Sequence, residues 1–151
     1  MELTSENYYG TEAGKAYFSA SQIKQFKRCE AQAMAELRGE YVRPMTTALT
    51  VGQFVDEGLT GNLDEWLPKH PEILKRDGSL KAEYEQAQQM VWRATKDEVF
   101  MEFMEGEHQA ILTAELFGVP FRAKFDVLGT DRIVDLKTVK DLNPVYLPGH
   151  S

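Results

Sequence analysis

Three runs in the C-terminal third constrain the chain most: HQAILTAELF from His108, VPFRAKFDVLG from Val119 and RIVDLKTV from Arg132. Each is rich in β-branched and aromatic residues, and apolar and polar positions alternate in the second and third. Gly118 separates the first two runs and Gly129-Thr130-Asp131 the second two, so two consecutive β-hairpins are the simplest reading. The preceding residues carry helical spacing instead. A chain of 151 residues suits one domain, and 42% hydrophobic residues supply a core. The expected fold class is α/β, with N-terminal helices packed on a mainly antiparallel three-stranded sheet.

The helical part has its own punctuation. Ser19-Ala-Ser21-Gln22 has the form of a capping box, with Ser19 as N-cap. Ile23, Phe26, Ala33, Met34 and Leu37 recur at helical spacing up to Gly39, which predicts one helix. A second helix is expected from Thr46 to Leu59, ended by Gly61, and Gly52 within it is expected to permit close helix–sheet packing. Pro68, Pro71 and Asp77-Gly78 mark a surface connection with a short helical turn at its centre. A long helix is expected from Lys81 to Met104, with Tyr84, Ala87, Val91 and Ala94 on one side. The last ten residues, with two prolines, look like a loop leading into something beyond Ser151.

Composition excludes several functions. The single cysteine, Cys29, rules out an internal disulfide, a CxxC redox pair and a four-cysteine metal site within one chain, and it points to a reducing compartment. Cys29 itself is expected to be a small buried apolar residue. His70, His108 and His150 are too scattered for a metal triad and are read as surface residues. Trp66 and Trp92 suit a core or interface role better than base stacking. The polar start MELTSENYYG is unlike a signal peptide, and no apolar run approaches the ~18 residues of a membrane span. A soluble cytoplasmic domain without membrane contact is expected. With 24 acidic and 17 basic residues the formal charge is −7, which argues against bulk attraction to nucleic acid. Residues 118–151 are the less acidic end, with 5 basic and 4 acidic residues.

Side chains two apart on a strand share a face. Phe121, Ala123, Phe125 and Val127 therefore form one face of the second strand, and Arg122, Lys124 and Asp126 the other. On the third strand Asp135 and Lys137 share a face with Ile133. If these strands pair, Asp126 sits beside Asp135, with Lys137 about 7 Å further along. Glu115 on the first strand is a candidate neighbour of this group. Two carboxylates on one face suit a hard divalent cation, which keeps several of its waters, and without a cation they would repel each other. Such a cation eases deprotonation of a bound water and stabilises charge on a phosphodiester, while a lysine orients that water. A solvated face of an antiparallel sheet would show the same alternation. Arg122 and Lys124 could contact a phosphate backbone or could be solvated strand charges.

Four segments together resemble the PD-(D/E)XK nuclease superfamily, in its RecB-like branch: FSASQIKQFKRCEAQAMAEL, ALTVGQFVDEGLTG, GEHQAILTAELFG, and GVPFRAKFDVLG paired with RIVDLKT. They are most similar to the C-terminal nuclease of exodeoxyribonuclease VIII (RecE) from phages and prophages, over about Tyr17 to Asp141. The resemblance makes residues 1–16 an N-terminal extension and 17–151 a nuclease domain that lacks the family's C-terminal helix, with its QxxxY motif, and last strand. It implies a Mg²⁺- or Mn²⁺-dependent DNA exonuclease acting on linear duplex ends in a bacterial host. A single-strand annealing protein as partner and a homo-oligomeric ring are also implied. Asp126, Asp135 and the Leu136 carbonyl would be ligands, Lys137 would position water, and Glu115 would be an extra acid. Arg122, Lys124, Thr138 and Lys140 would contact DNA. Many relatives place a metal-binding His in GxxxH where this chain has Gly52 to Asp56, so Asp56 becomes a candidate oxygen ligand. Some RecB-like nucleases hold an iron–sulfur cluster with several cysteines; with Cys29 alone, none is expected here. Two other readings compete: a non-catalytic DNA-binding or assembly module, and a nuclease of the CRISPR-adaptation type.

Overall fold

In the computed structural model, which describes residues 1–141, the capping box at Ser19 is formed. The Gln22 backbone N–H donates to Ser19 Oγ at 3.3 Å, and the Ser19 N–H donates to Gln22 Oε1 at 2.9 Å. The loop expected over the last ten residues, with His150, lies outside the described residues. The chain divides into two compact units, one of Met1–Met45 with Met104–Asp135, the other of Thr46–Phe103 with the chain from Leu136.

The first unit holds helices α1 (Thr11–Ala16), α2 (Ala20–Arg28) and α3 (Glu30–Leu37), with the whole sheet. Where one helix was expected from Ser19 to Gly39, the chain breaks at Cys29, which takes an extended conformation (φ −158°, ψ 101°). The break leaves the cysteine's backbone groups satisfied. Its N–H donates to Gln25 O and its carbonyl accepts from the Ala33 N–H. Cys29 thus ends one helix and starts the next, and it is exposed rather than buried. Gly39 closes α3 with φ +74°, as its position in the sequence suggests.

The sheet has the order β1-β2-β3, with β1 Glu107–Leu116, β2 Val119–Leu128 and β3 Ile133–Val134, antiparallel throughout. Phe117 and Gly118, both at positive φ (55° and 75°), make the tight turn between the first two strands. The third strand is much shorter than RIVDLKTV. The register Val127↔Val134 would carry a longer strand on to Arg122, but that part of the edge is taken. Phe18 N–H donates to Pro120 O at 2.9 Å, and Arg122 N–H donates to Phe18 O at 2.8 Å. The bridge between Phe18 and Phe121 fixes the start of α2 against β2.

The second unit is built on α4 (Thr47–Thr60) and α6 (Ala82–Thr95), with α5 (Leu63–Trp66), two single 3₁₀ turns and α7 (Glu98–Phe103). Thr46 caps α4 by accepting from the Leu49 N–H, and Gly61 ends it with φ +78°. The expected Lys81–Met104 helix breaks at Lys96-Asp97, because Asp97 Oδ1 accepts from the Phe100 N–H and starts α7 as an N-cap would. Phe54, 1% exposed, packs edge-on to Trp66 and obliquely to Tyr84, with centroids 6.0 and 5.9 Å away. Trp66 thus takes a core role, whereas Trp92 is exposed. A Cβ at Gly52 would lie an ordinary 3.5 Å from Thr138 Oγ1, so no close contact recorded among the described residues requires a glycine there.

Gly58 is where α4 and α6 need a missing side chain. A Cβ there would lie 2.8 Å from Val91 Cγ2 and 3.3 Å from Leu63 Cδ1. Gly58→Ala is expected to lower stability by about 1–3 kcal/mol through overpacking. Adding Val91→Ala should recover part of that loss in urea unfolding. Equal and additive losses in the two single variants and the double variant would show that the two positions do not touch.

Candidate active site

The candidate residues divide equally between the two units. Asp126, Asp135, Glu115, Arg122 and Lys124 lie in the first unit, and Asp56, Leu136, Lys137, Thr138 and Lys140 in the second. Asp126 is half-buried near the end of β2. The ladder between β2 and β3 pairs Leu128 with Ile133 and Val127 with Val134 and ends there; one further step of the same register would bring Asp135 level with Asp126. Asp135 follows β3 directly and is exposed, as is Lys137, while Leu136 is half-buried. Asp56 is half-buried on α4.

Glu115 does not join the carboxylates. The turn at Phe117-Gly118 fixes the hairpin register, and Glu115 falls opposite Pro120, beside the turn. From there to the level of Asp126 is six residues of strand, about 20 Å. The position facing Asp126 belongs instead to Gln109, between the pairs His108↔Val127 and Ala110↔Phe125. Gln109 has φ +54° and its Nε2 donates to Asp126 Oδ1 at 3.4 Å. A non-glycine residue in the left-handed region is uncommon and often marks a functional position. The sequence held only a faint signal for Gln109, a polar residue in a run read as strand.

Arg122 is not the solvated strand charge its alternation suggested. It is 7% exposed, and its guanidinium lies over the Tyr8 ring, 4.8 Å from the centroid. Lys124 Nζ lies 5.7 Å from the Tyr8 ring and 5.2 Å from that of Tyr9. The N-terminal extension thus lays two tyrosines over the basic residues of β2, a contact between distant parts of the chain that no local pattern announces. Burial raises the Tyr8 hydroxyl above the ordinary phenol range, against the opposing charge and hydrogen bond of Arg122, and lowers the Arg122 guanidinium. Because the folded pKa of Tyr8 is the higher, its contribution to stability is complete below pH ~10 and is lost as pH rises through the folded value. Alkaline unfolding should therefore steepen above pH ~10, and Tyr8→Phe should remove that component. An unchanged alkaline slope in Tyr8→Phe would show that Tyr8 does not carry it.

His108 is exposed and its Nε2 lies 2.6 Å from the Met104 carbonyl. His70 is half-buried, stacked on Trp66 at 3.9 Å and paired with Glu72. Among the described residues no three His, Cys, Asp or Glu side chains cluster to hold a metal. Mg²⁺ takes only one or two carboxylates and keeps the rest of its shell as water, so Asp126 and Asp135 would suffice to hold it. Their oxygen chemistry fits a hard cation and not a soft one.

Helices beside an antiparallel sheet, with an acid on the central strand and Asp-x-Lys leaving the next, define a nuclease fold class of the PD-(D/E)XK type. The chain belongs to it: residues 19–148 match the family described as a PDDEXK-like domain of unknown function (DUF3799). A solved structure from Eubacterium rectale, called a "Putative exonuclease", is similar at 40% identity with a TM-score of 0.81. The likeness covers 94% of this chain and 59% of that one, so the present chain spans about three-fifths of its relative. Among curated proteins none matches. No helix among the described residues is long and apolar enough to cross a membrane.

Proposed function

We propose that the protein is a divalent-metal-dependent DNA exonuclease of the phage or prophage recombination type, hydrolysing phosphodiester bonds from the ends of linear duplex. The observation that supports this reading is Asp126 near the end of β2 with Asp135-Leu136-Lys137 directly after the strand paired to it, in a chain of the PDDEXK-like family. Asp126 and Asp135 would hold Mg²⁺ or Mn²⁺, with the Leu136 carbonyl and Asp56 as further oxygen ligands. The bound cation would supply an easily deprotonated water and offset charge on the phosphodiester. Gln109 holds the Asp126 carboxylate through its amide. Lys137 orients the attacking water, and Lys124, Thr138 and Lys140 contact the strand through its phosphates. Action in the bacterial cytoplasm, a single-strand annealing partner and assembly into a homo-oligomer go with this reading.

The test is cleavage of end-labelled linear duplex with Mg²⁺ or Mn²⁺, against a closed circular duplex and an EDTA control. Metal-dependent loss of label from the linear form alone supports the exonuclease. No cleavage, with no heat of Mn²⁺ binding in calorimetry, would overturn it in favour of a non-catalytic DNA-binding module.

A further inference from the structure

Tyr9 is 78% exposed, although the residues around it are held in place. The Thr4 N–H donates to Asn7 Oδ1 at 2.8 Å, the Tyr8 N–H to the Thr4 carbonyl at 3.0 Å and the Gly10 N–H to the Asn7 carbonyl at 2.9 Å. Residues 4–10 are thus folded into turns. Tyr8 anchors them, since its ring is 6% exposed and lies against the Arg122 guanidinium. The Tyr9 ring meets the Tyr8 ring edge-on, with centroids 4.9 Å apart. A single exposed aromatic side chain needs no explanation by itself. Tyr9 needs one because of where this mount puts it.

That place is the side of β2 that bears Asp126. Lys124 and Asp126 alternate onto one face of the strand, two residues or about 7 Å apart. Lys124 Nζ lies 5.2 Å from the centre of the Tyr9 ring, so a fixed, exposed ring stands beside the lysine next in line to Asp126. All these residues belong to the first unit. A cation for the phosphates and an aromatic ring for the bases is the combination that holds a single nucleic-acid strand without reading its sequence. Bases in a duplex already stack on one another, so such a ring serves a base that has left its stack. The formal charge of −7 weakens general attraction to phosphate, which leaves a larger share of the binding to ring contact.

We propose that Tyr9 stacks on an unpaired base of a nucleic-acid strand whose phosphate lies at Lys124. The choice of nucleic acid as occupant rests on the nuclease reading; the placement of the ring beside Lys124 and Asp126 does not. Binding is measured in EDTA, so that it is independent of cleavage. The probes are a short fluorescent oligothymidylate and a strand of the same length and charge that lacks every base. The parent protein is expected to bind the first about 5- to 100-fold more tightly, the range of one ring–base stack. Tyr9→Ala should lose most of that preference while its affinity for the baseless strand stays unchanged. Tyr9→Phe should keep the preference, because it keeps the ring. Tyr9 is exposed, so neither change should disturb the fold, which circular dichroism checks. Equal binding of the two strands by the parent, or a preference undiminished in Tyr9→Ala, would overturn the proposal. So would an equal fall for both strands in Tyr9→Ala, which would make Tyr9 a support for Lys124, or a preference lost in Tyr9→Phe, which would make the hydroxyl the contact. A preference lost in Tyr9→Ala, in a protein that never cleaves, would leave this contact standing and remove only the nuclease reading. Metal-dependent cleavage by a protein without the preference would do the reverse.

Discussion

Asp126→Asn is expected to abolish metal-dependent cleavage, with a loss of roughly 10²- to 10⁴-fold, while leaving the fold intact. The magnitude follows from the several kcal/mol that a bound cation contributes to the transition state, at about 1.4 kcal/mol for each factor of ten. The fold survives because asparagine is isosteric and its carbonyl oxygen still accepts from Gln109 Nε2, the bond Asp126 makes at 3.4 Å. Stability without metal should therefore change by less than about 1 kcal/mol. Calorimetry with Mn²⁺ supplies the second readout, and binding should weaken with cleavage. Lys137→Ala separates the roles, since it should lose cleavage while Mn²⁺ still binds. If Asp126→Asn cuts duplex at the parental rate, Asp126 is not a ligand and the carboxylate pair is a structural feature of the sheet.

Phe54→Ala should have the largest effect on stability, about 3–5 kcal/mol. Phe54 is 1% exposed at the centre of the second unit, with the Trp66 and Tyr84 rings on it. Truncation removes a large apolar side chain, leaves a cavity and forfeits both ring contacts. Native domains are held by only about 5–15 kcal/mol, so this single change takes a large share. Urea unfolding followed by tryptophan fluorescence reads it, because Trp66 is buried against Phe54 while the exposed Trp92 contributes a nearly constant signal. A loss under about 1 kcal/mol would mean that the neighbouring rings close over the gap.

The sequence announced features whose cause is local. Ser19 with Gln22, Gly39 and Gly61 mark helix ends through chemistry within a few residues, and each ends or caps a helix where its spacing implied. The two hairpins and the faces of β2 follow from alternation and turn residues. Periodicity located helical stretches but not their interruptions. Cys29 and Asp97 break helices whose apolar spacing runs through them, because each short piece satisfies its own ends.

Contacts between distant segments were decided only by the tertiary structure. Phe18 occupies the edge of β2 at Phe121, where a longer third strand would otherwise run. Tyr8 covers Arg122, which turns an apparently solvated strand charge into a buried guanidinium. The register set by Phe117-Gly118 places Gln109, and not Glu115, across from Asp126. The sequence by itself thus determined the capped helix ends and the two hairpins, because these follow from spacing along the chain. Which side chains surround Asp126 depended on the tertiary structure, because burial and pairing at long separation are set by packing and leave no periodic trace.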